Sequence, residues 1–209
     1  MLMSAQFEPL IEAISSAGFA CTEDLFSESE LLALHNELKT LIEEGEIRSA
    51  RIGQLNVERE VSEIRSDEIF WLHPEEPRSS TEGFFKVMSE LSSYITATCF
   101  ISLNRMEFHF ARYAPGAFYK RHKDSFRGGN SRKFSVILYL NPEWKSGDGG
   151  ELILFLNHQE ISIEPTWGKL VIFPSDQIEH EVSVTHKTRY SLTGWLRYDD
   201  LTLSLDLSS

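Results

Sequence analysis

The chain has 209 residues, enough for one core of ordinary size and too short for two domains of usual length. Hydrophobic residues at 41% and charged residues at 25% exclude a disordered or fibrous chain, and 32 acidic against 20 basic side chains give a net charge of −12, which on average repels nucleic acid and anionic membranes. No apolar run approaches the roughly 18 residues that span a bilayer, the N-terminus lacks the basic start and apolar stretch of a secretory signal, and two cysteines fit a reducing compartment, so a cytoplasmic protein without a membrane span is expected.

In chain order, "FEPLIEAISSAGF" spaces Phe7, Leu10, Ile11 and Ile14 at three and four, which predicts a helix ended by Gly18. "SESELLALHNELKTLIEEG" predicts a second helix, capped by Ser27 with Glu30, carrying an apolar stripe of Leu31, Leu32, Leu34, Leu38, Leu41 and Ile42, and stopped at Gly45. From Gly45 to Asp67 periodicity is lost and both charges mix, which predicts a long hairpin or loop. "IFWL" at 69–72 reads as a short strand, and a third amphipathic helix is predicted from about Thr81 to Thr98. Cys21 and Cys99 read as buried small apolar residues.

After Cys99 the chain becomes a series of short strands: "LNRMEFHFARYA", "FSVILYLN", "GELILFL", "ISIEP", "GKLVIFP", "HEVSVT" and "RYSLTGWLR". Helices followed by strands predict an α+β fold, an antiparallel sandwich or barrel with the helices packed on one outer face. A single domain over 1–209 is expected, its helical part about 1–99 and its barrel core about 100–200. The mouth of such a barrel can seat a small ligand.

"YKRHKDSFRG" at 119–128 looks like a basic patch, but it contains His122 and Asp124 two apart, and on an extended segment both leave the same face. Arg121 and Lys123 then point the other way. His180, in "SDQIEHEVSV", begins a late strand and can supply a third ligand; His186 is the alternative. Two imidazoles and a carboxylate on one side of a metal leave positions open for a chelating cosubstrate and dioxygen, the arrangement of non-haem iron(II) oxygenases, although zinc tolerates the same ligands. Nine positions past His180 lies Arg189, on the same strand face as Ser191 and Thr193. A buried guanidinium needs a partner, which a dicarboxylate ligand would supply in bidentate fashion and a structural carboxylate such as Glu107 or Glu151 could also supply. The hydroxyl of Tyr139, in an otherwise apolar strand, needs a partner too if it is buried. Together these residues suggest a 2-oxoglutarate site. His35, His73, His109 and His158 read as structural or solvated, with His109 on the face opposite Phe108.

The segments "YAPGAFYKRHKDS", "VILYLNPEW", "DGGELILF", "IEPTWGKLVIFPSDQIEHEV" and "TRYSLTGWL" resemble the 2-oxoglutarate- and iron(II)-dependent prolyl 4-hydroxylases, most closely the oxygen-sensing prolyl hydroxylase branch and its bacterial relatives, over about residues 60–197. The resemblance implies a double-stranded β-helix, or jelly roll, with iron(II) held by His122, Asp124 and His180. It implies that Arg189 pairs with the distal carboxylate of 2-oxoglutarate, that Tyr139 hydrogen-bonds the same group, and that Tyr113 lines that pocket. Tyr119, Arg132 and Trp195 would flank the substrate, and Arg65 and Asp67 would fix a finger loop at 46–66. Dioxygen as cosubstrate and ascorbate as reductant follow from the same likeness, with succinate and carbon dioxide released and a prolyl residue of a protein or peptide hydroxylated. The same cofactors acting on a free amino acid or small metabolite, and a non-catalytic metal-binding sensor or interaction module, are the competing readings; the acidic balance disfavours a nucleic-acid substrate. The stretch from Tyr113 to His122 is one residue shorter than in the animal enzymes, and the finger shares little with them beyond its place in the chain.

Overall fold

Helices form where apolar spacing predicts them in the computed structural model, which describes residues 4–50, 64–124 and 131–199. They are α1 (Ser4–Ala17), α2 (Glu28–Glu43) and α3 (Glu82–Cys99). At the start of α2 the Ser27 hydroxyl accepts from the Glu30 amide while the Glu30 carboxylate accepts from the Ser27 amide at 2.8 Å, so two orphan donors are satisfied reciprocally. Leu31, Leu34, Leu38 and Leu41 are buried; Leu32, one position off that stripe, is turned outward and 45% exposed. Gly18 follows α1 at φ +86, a left-handed conformation that glycine adopts without cost. No described helix is long and apolar enough to cross a membrane.

Eleven strands are seen among the described residues: β1 (Ala20–Thr22), β2 (Arg48–Ser49), β3 (Glu68–Leu72), β4 (Arg105–Tyr113), β5 (Tyr119–His122), β6 (Arg132–Tyr139), β7 (Leu152–Leu156), β8 (Gln159–Ile163), β9 (Leu170–Pro174), β10 (Glu179–Val182) and β11 (Arg189–Arg197). They form a seven-stranded sheet in the order β1-β9-β6-β11-β4-β3-β2 and a four-stranded sheet in the order β5-β10-β7-β8, and every strand pair is antiparallel. The result is the expected α+β jelly roll. Three of these strands are absent from the sequence-based expectation: β1 and β2 are too short to show a pattern, and "YKRH" of β5 has no apolar alternation.

Alternation along the long strands decides where the core lies and where the site can lie. On one face of the large sheet, Phe108 and Phe110 of β4, Val136 and Leu138 of β6, and Leu192 and Leu196 of β11 pack against Phe84, Met88 and Leu91 of α3 and the α2 leucines. Each such side chain contributes roughly 1.5–3 kcal/mol by leaving water. The opposite face looks into the space between the sheets. One end of that space is filled by Ile137, Val171, Phe173, Leu152, Leu154 and Ile178; the other carries polar and aromatic groups. Gly194 lies in the middle of β11, where a Cβ would collide with the Glu107 carbonyl and the Phe108 ring, so β4 and β11 can lie this close only with glycine there.

The flanks of the long polar excursion are fastened beside the barrel. β2 pairs with β3, Ala50 N donates to Asp67 O at 2.9 Å, and Ile64 O accepts from Lys120 N at 2.8 Å on the free edge of β5. The central part of the predicted finger, residues 51–63, lies outside the described residues, as does Arg127 of the basic stretch. Cys21 and Cys99 are free thiols, and neither is buried: Cys21 is exposed on the edge strand β1 and Cys99 is half-buried at the end of α3.

Candidate active site

His122, the last residue of β5, is paired in register with His180 of β10, and the two rings lie 4.3 Å apart. Asp124 sits in a bend just past β5 with its carboxylate between them: His122 Nε2 is 3.5 Å from Oδ1 and His180 Nε2 is 3.5 Å from Oδ2. One ligand atom from each of the three residues lies within 4.8 Å of the others. His122 Nδ1 is 2.7 Å from Lys120 O and His180 Nδ1 is 3.4 Å from Ile178 O, so each ring commits Nδ1 to the main chain and leaves Nε2 for a metal. Tyr119 stacks on His122 at 3.6 Å between ring centroids, and Phe173 meets His180 edge-on.

Electrostatics put Asp124 and His180 in the protonation states a divalent cation requires. Burial alone would raise the Asp124 carboxyl, but His180, His122 and a hydrogen bond from Ser135 hold it well below the usual carboxylate range. Burial pushes His180 down to about 4. An ionised carboxylate and neutral imidazoles are what metal ligation uses, and two nitrogens with one oxygen on one side suit iron(II). His186, the alternative ligand, is exposed and outside this cluster.

Arg189 is 1% exposed and carries the second half of the site. Its Nε donates to Gly150 O at 2.9 Å, Nη1 is 3.5 Å from Ser191 Oγ, and the rings of Tyr113 and Tyr139 each lie 4.9 Å from Cζ. It has no carboxylate partner among the described residues. Glu107 is taken by Arg132 and Arg197, and Glu151 accepts from Ser183. Beside it the Tyr139 hydroxyl is fully buried without a hydrogen-bond partner among the described residues, its pKa pushed up to about 12 by burial against the opposing pull of Arg189. A buried unpaired cation and an orphaned hydroxyl are each costly. A carboxylate ligand would satisfy both, so the residues present fit the far carboxylate of 2-oxoglutarate. Gly150 permits the approach: it sits at φ +67, and a Cβ there would press on Arg189 Cδ at 3.0 Å. Tyr113 lines the same pocket, its hydroxyl raised by burial.

The remaining predicted residues gather on the rim. Arg132 Cζ lies 3.4 Å over the Trp195 ring, its Nε donates to Glu107 at 2.7 Å, and Nη1 reaches the Asp124 carbonyl at 3.4 Å. Arg65 grips the buried Asp67 with two bonds, at 2.7 and 2.5 Å, and its guanidinium lies 4.4 Å over Tyr119. Arg65, Tyr119 and His122 therefore form one stack that ends at the His122–Asp124–His180 cluster.

Two neighbours of the site, Ser135 and Ser175, escaped the sequence reading, and His109, read as structural or solvated, is buried. Ser135 of β6 donates to Asp124 Oδ2 at 2.7 Å, and Ser175, just past β9, lies 2.9 Å from Ser135. His109 is 4% exposed between Trp71 at 4.8 Å and Trp195 at 5.6 Å, its Nδ1 without a partner among the described residues, and burial pushes it down to about 3. The signal was present: stepping by two from Tyr139 along β6 reaches Ser135, and from Tyr113 along β4 reaches His109 and Glu107.

Residues 108–197 match the model of the 2OG-Fe(II) oxygenase superfamily. A solved prolyl-4-hydroxylase from Pseudomonas putida is 33% identical with a TM-score of 0.83, the match covering 95% of this chain and all of that one. The prolyl hydroxylase of Trichoplax adhaerens, solved with a hypoxia inducible factor oxygen degradation domain peptide fragment, shares the fold at a TM-score of 0.80 and 23% identity over 94% of this chain and 90% of its own. Egl nine homolog 1 of Mus musculus is 28% identical over 201 residues, 90% of this chain and 48% of that protein's length.

Proposed function

This chain belongs to the 2OG-Fe(II) oxygenase superfamily with its prolyl hydroxylases, and from that premise we propose that it hydroxylates a prolyl residue of a protein or peptide. Its cofactors are iron(II), 2-oxoglutarate and dioxygen. When bound together they supply the oxidising power that inserts one oxygen atom into a C–H bond while 2-oxoglutarate becomes succinate and carbon dioxide. In this reading His122, Asp124 and His180 hold the iron. Arg189 and Tyr139, beside Tyr113, would hold the distal carboxylate of 2-oxoglutarate. Tyr119, Arg132 and Trp195 wall the substrate position, and the Arg65–Asp67 pair fastens the return of the finger next to them.

The observation that carries the reading is Arg189, fully buried without a carboxylate partner among the described residues, beside the orphaned Tyr139 hydroxyl and within the same barrel as the triad. A polypeptide substrate is supported by the likeness to prolyl hydroxylases, one of them solved with a peptide, and by the fastening of both flanks of 51–63 at the rim. The test is to incubate a lysate of the source cell with the enzyme, iron(II), 2-oxoglutarate and ascorbate, and to search tryptic peptides for prolyl residues heavier by one oxygen. Such a residue is expected with wild type and not with Asp124→Ala. Succinate release driven by the protein-free fraction alone would place the substrate among small molecules.

A further inference from the structure

The two histidines of the triad stand on the small sheet, in register on neighbouring strands, whereas Asp124 belongs to neither sheet. β5 stops at His122, so no ladder hydrogen bond fixes the residue that must supply the carboxylate. What holds it comes from the large sheet opposite. Ser135, 1% exposed on β6, donates to Asp124 Oδ2 at 2.7 Å; Ser175, fully buried, is 2.9 Å from Ser135 and is itself placed by its amide, which donates to Lys133 O at 3.0 Å.

The direction of these bonds is determined. A carboxylate that ligates a divalent cation carries no proton and only accepts. Ser135 has one proton and gives it to Asp124, so in the contact between the hydroxyls Ser175 is the donor. The relay runs Ser175 to Ser135 to Asp124 Oδ2. It takes up one acceptor site on Oδ2, whereas Oδ1, turned toward His122, receives no bond from the large sheet.

We propose that Ser135 and Ser175 are positioning residues, a two-hydroxyl relay that ties the carboxylate ligand to the large sheet and thereby sets how firmly the metal is held. The inference rests on the triad as the metal site and not on the identity of the substrate. Loss of an outer partner of this kind costs about 10- to 100-fold in metal affinity, and because Ser175 acts only through Ser135 its effect should vanish once Ser135 is gone.

The experiment loads the purified protein with cobalt(II) and measures how fast a chelator strips it. Ser135→Ala should release cobalt about 10- to 100-fold faster than wild type, Ser175→Ala faster by a smaller factor, and the double variant no faster than Ser135→Ala. Ser135→Cys, which keeps the volume but donates poorly, should behave like Ser135→Ala, whereas Ser135→Thr, which keeps the hydroxyl, should restore slow release. Thermal unfolding of the metal-free proteins shows which variants fold, and Ser175→Ala with Ser135→Thr decides the matter if the others do not. Wild type failing to hold cobalt would sink the triad reading. Wild type holding it while Ser135→Ala and Ser135→Cys release it no faster, or the two serine effects multiplying, overturns the relay and leaves the triad standing.

Discussion

Buried between Trp71 and Trp195, His109 is kept neutral by burial first and by the nearby guanidinium groups of Arg65 and Arg132, with Asp67 and Asp124 pulling the other way. Its folded pKa of about 3 lies below the ordinary 6.5, so beneath pH 6.5 the unfolded chain takes up a proton that the folded chain refuses. Stability therefore falls as pH drops from the ordinary value towards the folded one, and at about pH 5 this one residue costs roughly 2 kcal/mol. His180, lowered to about 4, acts in the same direction in metal-free protein. Urea unfolding at about pH 7 and about pH 5 checks this: His109→Met should recover roughly 2 kcal/mol of the acid loss, and an equal loss in both proteins would show that His109 is protonated when folded. At this scale spacing in the sequence singled out side chains that the fold brings close together, His122, Asp124 and His180, and one that it buries, Arg189. Ser135 and Ser175 were passed over, and His109 was left as structural or solvated, because a serine or a lone histidine on a strand looks the same whether it faces a carboxylate, an indole or water.

Elements with a long period were legible and elements without one were not. α2 shows a capping box and four buried leucines, while β5 hides because its outward residues Lys120 and Arg121 are charged and its inward residues serve the site. Arg121 pairs with Glu179 at 2.5 Å and lies 3.8 Å over Phe155, so part of the apparent basic patch is a neutralised outer surface. Between β4 and β11 the closeness of the two backbones is set by Gly194, something no alternation pattern reveals. Gly194→Ala should destabilise the protein by about 1–3 kcal/mol in urea unfolding, because the added methyl meets the β4 backbone as well as the buried Phe108 ring. An unchanged midpoint would mean that the strands separate without cost.

For the molecule as a whole, helices on one face stiffen the large sheet, and the large sheet presents Arg189, Tyr139, Ser135 and Trp195 across the gap to the two histidines of the small sheet. Composition and strand count were enough to anticipate that architecture. They could not supply the tie between the sheets, which depends on hydroxyl positions. We propose that this one gap holds iron through His122, Asp124 and His180 and 2-oxoglutarate through Arg189. Succinate formation measured against 2-oxoglutarate concentration in the presence of iron(II) and substrate-containing lysate tests it most directly. The account predicts turnover by wild type, none by Asp124→Ala, and for Arg189→Ala a half-saturating 2-oxoglutarate concentration raised about 10- to 100-fold, as loss of a charge-assisted bond implies. Wild-type turnover by Asp124→Ala, or an unchanged 2-oxoglutarate requirement in Arg189→Ala, would contradict it.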